Sequence, residues 1–318
     1  MKAKKVITPA AILILLLFLM GFNPAEPAAA KEKYEETFEK TVSLAKTGKV
    51  SLKNVSGDIE VKTWDRAEVK IEALKTSQAE TMEKAKENAA KVKIEVIEEG
   101  NLLRIEADYP EVSIKGLNVS IDFDLFIPDQ AALKIKSVSG DVTLENIGGA
   151  VETEVVSGDI EVMKAGQGLD CQSVSGDLEI RSITGDARLK TVSGDITLEQ
   201  LKGSLEAETV SGDIELSGVS GAKYIKAKVL SGSVTYQGSI EAASRYEMKS
   251  HSGDIEMFLP SDSAFDIEAE TFSGDIETDF EISVSGKFSK KKIMGTVNGG
   301  GAVLSLSTFS GDIILEKR

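Results

Sequence analysis

Val156-Ser157-Gly158-Asp159-Ile160 recurs 18 residues later as Val174-Ser175-Gly176-Asp177-Leu178, and 18 later again as Val192-Ser193-Gly194-Asp195-Ile196. The same tetrapeptide stands at Val138–Asp141 and Val210–Asp213, so Gly140, Gly158, Gly176, Gly194 and Gly212 are evenly spaced. A looser series, Gly149, Gly185, Gly203 and Gly221, falls nine residues after members of the first. Self-similarity at a fixed short period marks a chain built by stacking one small unit.

Counting from each Asp, positions +1 and +3 are apolar in all five units: Val142/Leu144, Ile160/Val162, Leu178/Ile180, Ile196/Leu198 and Ile214/Leu216. Position +2 is polar throughout, which is the period-two pattern of a strand with one buried face. Positions +10 and +12 repeat the pattern in a second strand: Val151/Thr153, Leu169/Cys171, Ala187/Leu189, Leu205/Ala207. Large and small residues trade places between neighbours there, as interdigitating layers of fixed volume require. The fifth unit departs, with Lys223 at +10 and Ile225 at +12. Each unit is therefore two strands and two turns, the glycine supplying a positive φ. Two assemblies fit, an antiparallel meander of hairpins or a β-solenoid in which each unit is one coil. Strict registry of identical turn residues favours the solenoid, with like residues about 4.8 Å apart. The expected fold is all-β: a β-solenoid of 18-residue two-strand repeats, with one short helix in the N-terminal part.

The 318 residues carry 41% hydrophobic but only 5% aromatic residues, which suits a thin core filled by aliphatic side chains. Lys2, Lys4 and Lys5, an apolar run from Val6 to Phe22 and the small residues Ala28-Ala29-Ala30 read as an export signal, residues 1–30, cut after Ala30. The alternative is an uncleaved anchor, for which a 17-residue run interrupted by Thr8 and Pro9 is marginal. No cysteine follows the run, which speaks against a lipid anchor. Removing three Lys and one Glu leaves 34 basic and 51 acidic residues, net −17. Nucleic acid is not expected as a partner, and a membrane only through the N-terminal segment if it is retained. The single cysteine, Cys171, permits no internal disulfide.

Residues 31–47 are charged and read as a flexible leader. Residues 48–130 form an N-terminal β segment. Its helix is expected over 77–91, where Ser77 and Glu80 make a capping box and Ala79, Met82, Ala85 and Ala89 share a face. Residues 131–318 continue as the Ser-Gly-Asp stack. Its later glycines, Gly232, Gly253 and Gly274, come at steps of 20, 21 and 21, and a last Ser310-Gly311-Asp312 follows Gly299–Gly301.

The repeated Val-Ser-Gly-Asp-Ile turns, the strand Phe123 to Pro128 before them, the Gly295-Thr-Val-Asn-Gly-Gly-Gly segment and the closing Ser310-Gly-Asp-Ile together resemble the bacterial putative-adhesin family with toastrack-type β repeats, the LiaG-like envelope proteins. The resemblance covers about residues 40–318. It implies an exported, β-rich, non-enzymatic envelope protein, in some members linked to envelope stress, and carries no catalytic residues over.

The Asp column, Asp141, Asp159, Asp177, Asp195 and Asp213, is the first chemical candidate. Stacked carboxylates could collect calcium. The calcium-binding nonapeptide turn, however, is Gly-Gly-x-Gly-x-Asp, and only alternate turns here carry Asp. The favoured reading is structural, each Asp accepting N–H bonds in its own turn, with no cofactor. Glu161, Glu179 and Glu215 add an acidic face. A repeated ladder offers no unique acid/base pair with divergent environments, so polysaccharide cleavage is the least favoured reading. His251 is the only histidine and has no nucleophile elbow nearby. Cys171 falls at an inward position, and Gly295–Gly301 lacks the lysine of a phosphate loop. Lys287, Lys290, Lys291 and Lys292 form a small basic patch, read as a solvated loop. The expected function is an exported envelope protein, not an enzyme, whose repetitive surface contacts wall polymer, other proteins or copies of itself. An accessory role in an envelope-stress response is the alternative.

Overall fold

A computed structural model describes residues 31–110, 117–284 and 289–318. Residues 1–30, read above as an export signal, and Lys287 lie outside the described residues. Each unit forms one coil with a strand in each of two facing sheets. Val151–Ser157 and Ile160–Ala165 are one such coil, joined by the Ser157-Gly158-Asp159 turn. Val151 pairs in parallel with Leu133 on one side and Leu169 on the other. Ile160 pairs likewise with Val142 and Leu178. Among the described residues the sheets, of 13 and 14 strands, enclose one continuous, mainly aliphatic core. Ile160 and Leu178 are wholly buried and the N–H of Asp177 lies 2.8 Å from Oδ1 of Asp159, so the stacked solenoid, not the meander, is the fold.

The glycine column shows why the unit cannot drift. Gly158 has φ +143°, and a Cβ built on it would lie 2.2 Å from the carbonyl oxygen of Gly140 in the coil below. The same collision, at 2.0 to 2.1 Å, awaits a side chain at Gly176, Gly194 and Gly212. Backbone therefore touches backbone at every turn, and only glycine leaves room. A second positive-φ column runs through sheet 1, the 13-stranded one, at Asn146, Lys164, Ser182, Gln200 and Gly218. Residue 164 is skipped in the register, since Met163 pairs with Arg181 and Ala165 with Ile183. This is a bulge repeated in each coil, and it turns position +6 inward, so that Ile147, Ala165, Ile183, Leu201 and Val219 join the core.

The fifth unit is resolved by its length. Two extra residues let Ile225, not Lys223, pair with Leu205, and Ala227 with Ala207. Lys223 falls in the turn.

At each end the chain folds back into its own stack. The coil Lys49–Trp64 lies between the coil that starts at Ala132 and the strands Leu102–Asp108 and Val119–Pro128. The C-terminal coil, Ala302–Lys317, lies between the coil Arg245–Leu259 and the coil Phe265–Thr278. Antiparallel strands finish both sheets at the N-terminal end, Lys93–Glu99 in one and Glu68–Ala79 with Glu32–Ser43 in the other. At the C-terminal end Lys292–Val297 and Ser283–Val284 close the 14-stranded sheet antiparallel, while the 13-stranded sheet ends on the short parallel strand Ile276–Thr278. The charged, antiparallel N-terminal edges oppose the addition of further coils.

Two N-terminal expectations are corrected. Residues 32–43 are a 12-residue strand, not part of a flexible leader. Its partner Glu68–Ala79 supplies the hydrogen bonds, and Val42, with Leu44 just beyond, supplies the buried contacts that a count of charges hides. The helix spans Met82–Ala89, not 77–91, and its N-cap is Thr81, whose side chain accepts from the N–H of Lys84. Ser77 is fully buried in a strand opposite Val119, so strand pairing overrides the capping box.

The two positive-φ columns should respond oppositely to substitution. Gly158→Ala sets a methyl against a carbonyl that cannot retreat, and is expected to cost at least about 3 kcal/mol. Lys164→Gly removes an unfavourable αL side chain at the expense of unfolded-state entropy, and should stay within about 1 kcal/mol of the parent. Urea denaturation of both variants checks the contrast.

Candidate interaction surface

Inward and outward residues alternate along each strand of sheet 2, the 14-stranded one, until the last two before the turn. In Val151–Ser157, Val155 is buried and the next residue, Val156, is 49% exposed. The register shows the break: Val155 pairs with Ser173 and Ser157 with Ser175, leaving Val156 out of the ladder. The same outward turn is made before the Ser-Gly at this corner of the neighbouring coils. Val138, Val174, Val192, Val210 and Leu230 are 42 to 52% exposed. His251, Phe309 and Phe272 continue the column, and Val55 begins it. The aromatic end is ordered by its own stacking: the His251 and Phe309 rings lie 4.9 Å apart at 10°, and Phe309 and Phe272 4.8 Å apart at 4°. Among the described residues, nine apolar side chains and His251 thus form a ladder along ten coils, facing water except for the half-buried Val55.

Beside the ladder lies an open groove of about 820 Å³. Its floor is the buried column Ser137, Val155, Ser173, Thr191, Thr209 and Val229. Three of the hydroxyls there are committed to the fold: Ser173 donates to the Gly158 carbonyl, Thr191 to Gly176 and Thr209 to Gly194, at 3.1 to 3.3 Å. The far wall is an outward column of charged side chains interrupted by one amide, Lys136, Glu154, Gln172, Lys190, Glu208 and Lys228. Lys136 pairs with Glu154 and Lys190 with Glu208 across adjacent coils. Hydrogen bonds from Lys226 and Lys190 hold the Glu208 carboxyl down at about 2.

The Asp column lies on the other side of the corner. Oδ1 of Asp141 accepts the N–H of Asp159 at 2.9 Å, Asp159 that of Asp177, Asp177 that of Asp195 and Asp195 that of Asp213 at 2.8 Å. The carboxylates do accept backbone N–H groups, but in the neighbouring coil rather than in their own turn. Each bond cross-links two coils and turns one oxygen along the stack. Among the described residues no group of three or more His, Cys, Asp or Glu side chains is placed to hold a metal ion.

The remaining candidates stay apart. Glu161, Glu179 and Glu199 surround Arg181 at 3.3 to 3.7 Å on the outer face of sheet 1. Cys171 is buried and its thiol is pushed up by desolvation, the state of an inert core thiol. Lys291 donates to the Phe272 carbonyl, and Lys292 pairs with Glu270 and Glu268. Gly299, Gly300 and Gly301 all have positive φ in the turn that launches the C-terminal coil.

Sequence reasoning named the Asp and Ser turns and missed the ladder. The signal was present as a parity fault. A valine follows an inward position directly, at Val155-Val156 and Ser173-Val174, where alternation calls for a polar residue.

The fold and this surface define a two-sheet parallel β-solenoid with a continuous apolar edge. The chain belongs to the Toastrack DUF4097 family, which matches residues 49–316. No curated protein matches it. Among solved structures it is similar to a putative adhesin from Bacteroides fragilis, at 14% identity and TM-score 0.42, covering 89% of this chain and 97% of that one. A putative adhesin from Parabacteroides distasonis gives 12% identity and TM-score 0.46, with the same shares.

Two outcomes follow. Asp177→Ala, which deletes a bond between coils, should lower stability by about 1 kcal/mol, whereas Asp177→Asn keeps the acceptor and should be neutral. Melting of both, with and without calcium, checks this, and calcium is expected to shift neither. The second concerns acid. A carboxyl held below its unfolded value stabilises above the ordinary glutamate range and loses that contribution as pH falls towards 2. Melting temperature should therefore fall between pH 5 and 2, and Glu208→Gln should flatten part of that fall.

Proposed function

We propose that the chain is an exported, non-enzymatic protein of the cell envelope, and that it works as an elongated contact surface for adhesion or interaction. The observation that carries this reading is the apolar ladder. Isolated exposed hydrophobic residues need no explanation, but a contiguous row along a whole molecule marks a place where something binds. The fold does not require the ladder to be apolar, because the turn is already held by glycine contacts, Asp bonds and Ser/Thr bonds. The basic start, apolar run and Ala28–Ala30 support export. The net negative charge directs the surface away from nucleic acid. Repetition supports many equivalent weak contacts rather than one pocket.

The test is retention by envelope fractions. Wild-type chain and Val174→Asp/Val192→Asp, both at exposed positions, are compared for binding to isolated cell walls and extracted envelope proteins. The expected result is at least a tenfold loss of retention in the variant with unchanged melting. Equal retention would remove the ladder from the function.

A further inference from the structure

We infer that the ladder face joins two copies of this chain about a two-fold axis that is perpendicular to the stack and passes between the Gly194 and Gly212 coils. The inference rests on the ladder being a contact surface, and it names the occupant. Four observations converge on it.

The first is where the middle falls. In stack order the ladder reads Val55, Val138, Val156, Val174, Val192, Val210, Leu230, His251, Phe309, Phe272. Its midpoint lies between Val192 and Val210. A two-fold there sets Val192 on Val210 of the second copy, Val174 on Leu230, Val156 on His251, Val138 on Phe309 and Val55 on Phe272. The small half of one ladder meets the bulky half of the other, so combined size stays more even than if bulky met bulky.

The second is charge. The outward column beside the ladder runs Lys53, Lys136, Glu154, Gln172, Lys190, Glu208, Lys228, Lys249, Ser307, Glu270. Reversed about the same midpoint, Lys190 faces Glu208, Glu154 faces Lys249 and Lys53 faces Glu270. Gln172 then faces Lys228, Lys136 faces Ser307, and no like charges meet. Moving the axis by half a coil sets Lys190 on Lys190 or Glu208 on Glu208. Moving it by one coil sets Glu154 on Glu208 and Lys136 on Lys228, or Lys190 on Lys249. Charge and ladder thus select the same axis.

The third is the flanks. In the next outward column Arg188 faces Glu206 and Asp170 faces Lys226. The one like pair, Glu152 with Glu247, joins carboxylates that each have a lysine partner in their own chain. On the other flank the Asp column lies past the corner, with Oδ1 of most members turned along the stack into the next coil. The fourth is size. Ten coils at about 4.8 Å give a ladder about 43 Å long, which leaves room for an interface of the standard size, about 800 Å² per copy.

Sedimentation of the purified full chain should show a two-copy species. Val192→Asp/Val210→Asp should sediment as a monomer with unchanged melting. Glu154→Lys should weaken the association about tenfold, and Glu154→Lys/Lys249→Glu should restore it, a rescue that repair within one chain would not give, because the two positions are five coils apart there. Register is read by cysteines. Oxidised Val138→Cys/Phe309→Cys should form a covalent dimer, because these positions are seven coils apart within one chain, while each single variant should not. A monomeric wild type, or a dimer cross-linked by Val138→Cys alone, overturns the inference. If wild type is monomeric but the Asp variants lose envelope retention, the contact-surface reading survives and the two-fold dimer does not.

Discussion

Everything in this molecule hangs on backbone meeting backbone at the glycine turns. At Gly158, Gly176, Gly194 and Gly212 a Cβ would sit within 2.2 Å of the carbonyl oxygen one coil below. That approach fixes the coil spacing at the corner as tightly as the parallel ladders fix it along the sheets. It also fixes the two columns that flank it. Asp Oδ1 reaches the next coil's N–H only because the corners superpose, and the Ser/Thr hydroxyls reach the glycine carbonyls for the same reason. One contact, repeated, converts a sequence period into a straight column.

How legible this was depended on whether a residue was set by local period or by distant pairing. The strict units could be read because +1, +3, +10 and +12 are decided within one 18-mer, and those residues are buried as the alternation requires. The bulge at Lys164 could not be read from propensity, since a lysine gives no sign of φ +77°, although apolar residues at +6 in every unit record its effect. The strand 32–43 and the shortened helix were missed for another reason. Both are decided by pairing with strands 25 to 47 residues away, against local composition and a local capping box. The threading of the first and last coils into the stack is likewise a property of the whole chain.

The surface was partly legible. The Asp column was seen, and its role in holding turns was close to the truth, but the partner lies one coil away because the carboxylate points along the stack. Val138, Val156, Val174, Val192 and Val210 open the repeated motif, yet the motif alone does not show that they form an exposed ladder. A Val that opens a recurring motif looks like core until one asks which face it lies on.

Regularity also explains why the two ends differ while the middle does not. In a stack of identical coils every point along the edge would bind alike, and no alignment of a partner would be preferred. Here the ladder passes from valine through leucine to histidine and phenylalanine, and the neighbouring charges change sign along its length. Those departures do nothing for the coil spacing, which the glycines already set. Their effect falls on the outside of the molecule, where they give a repetitive surface a direction and a centre.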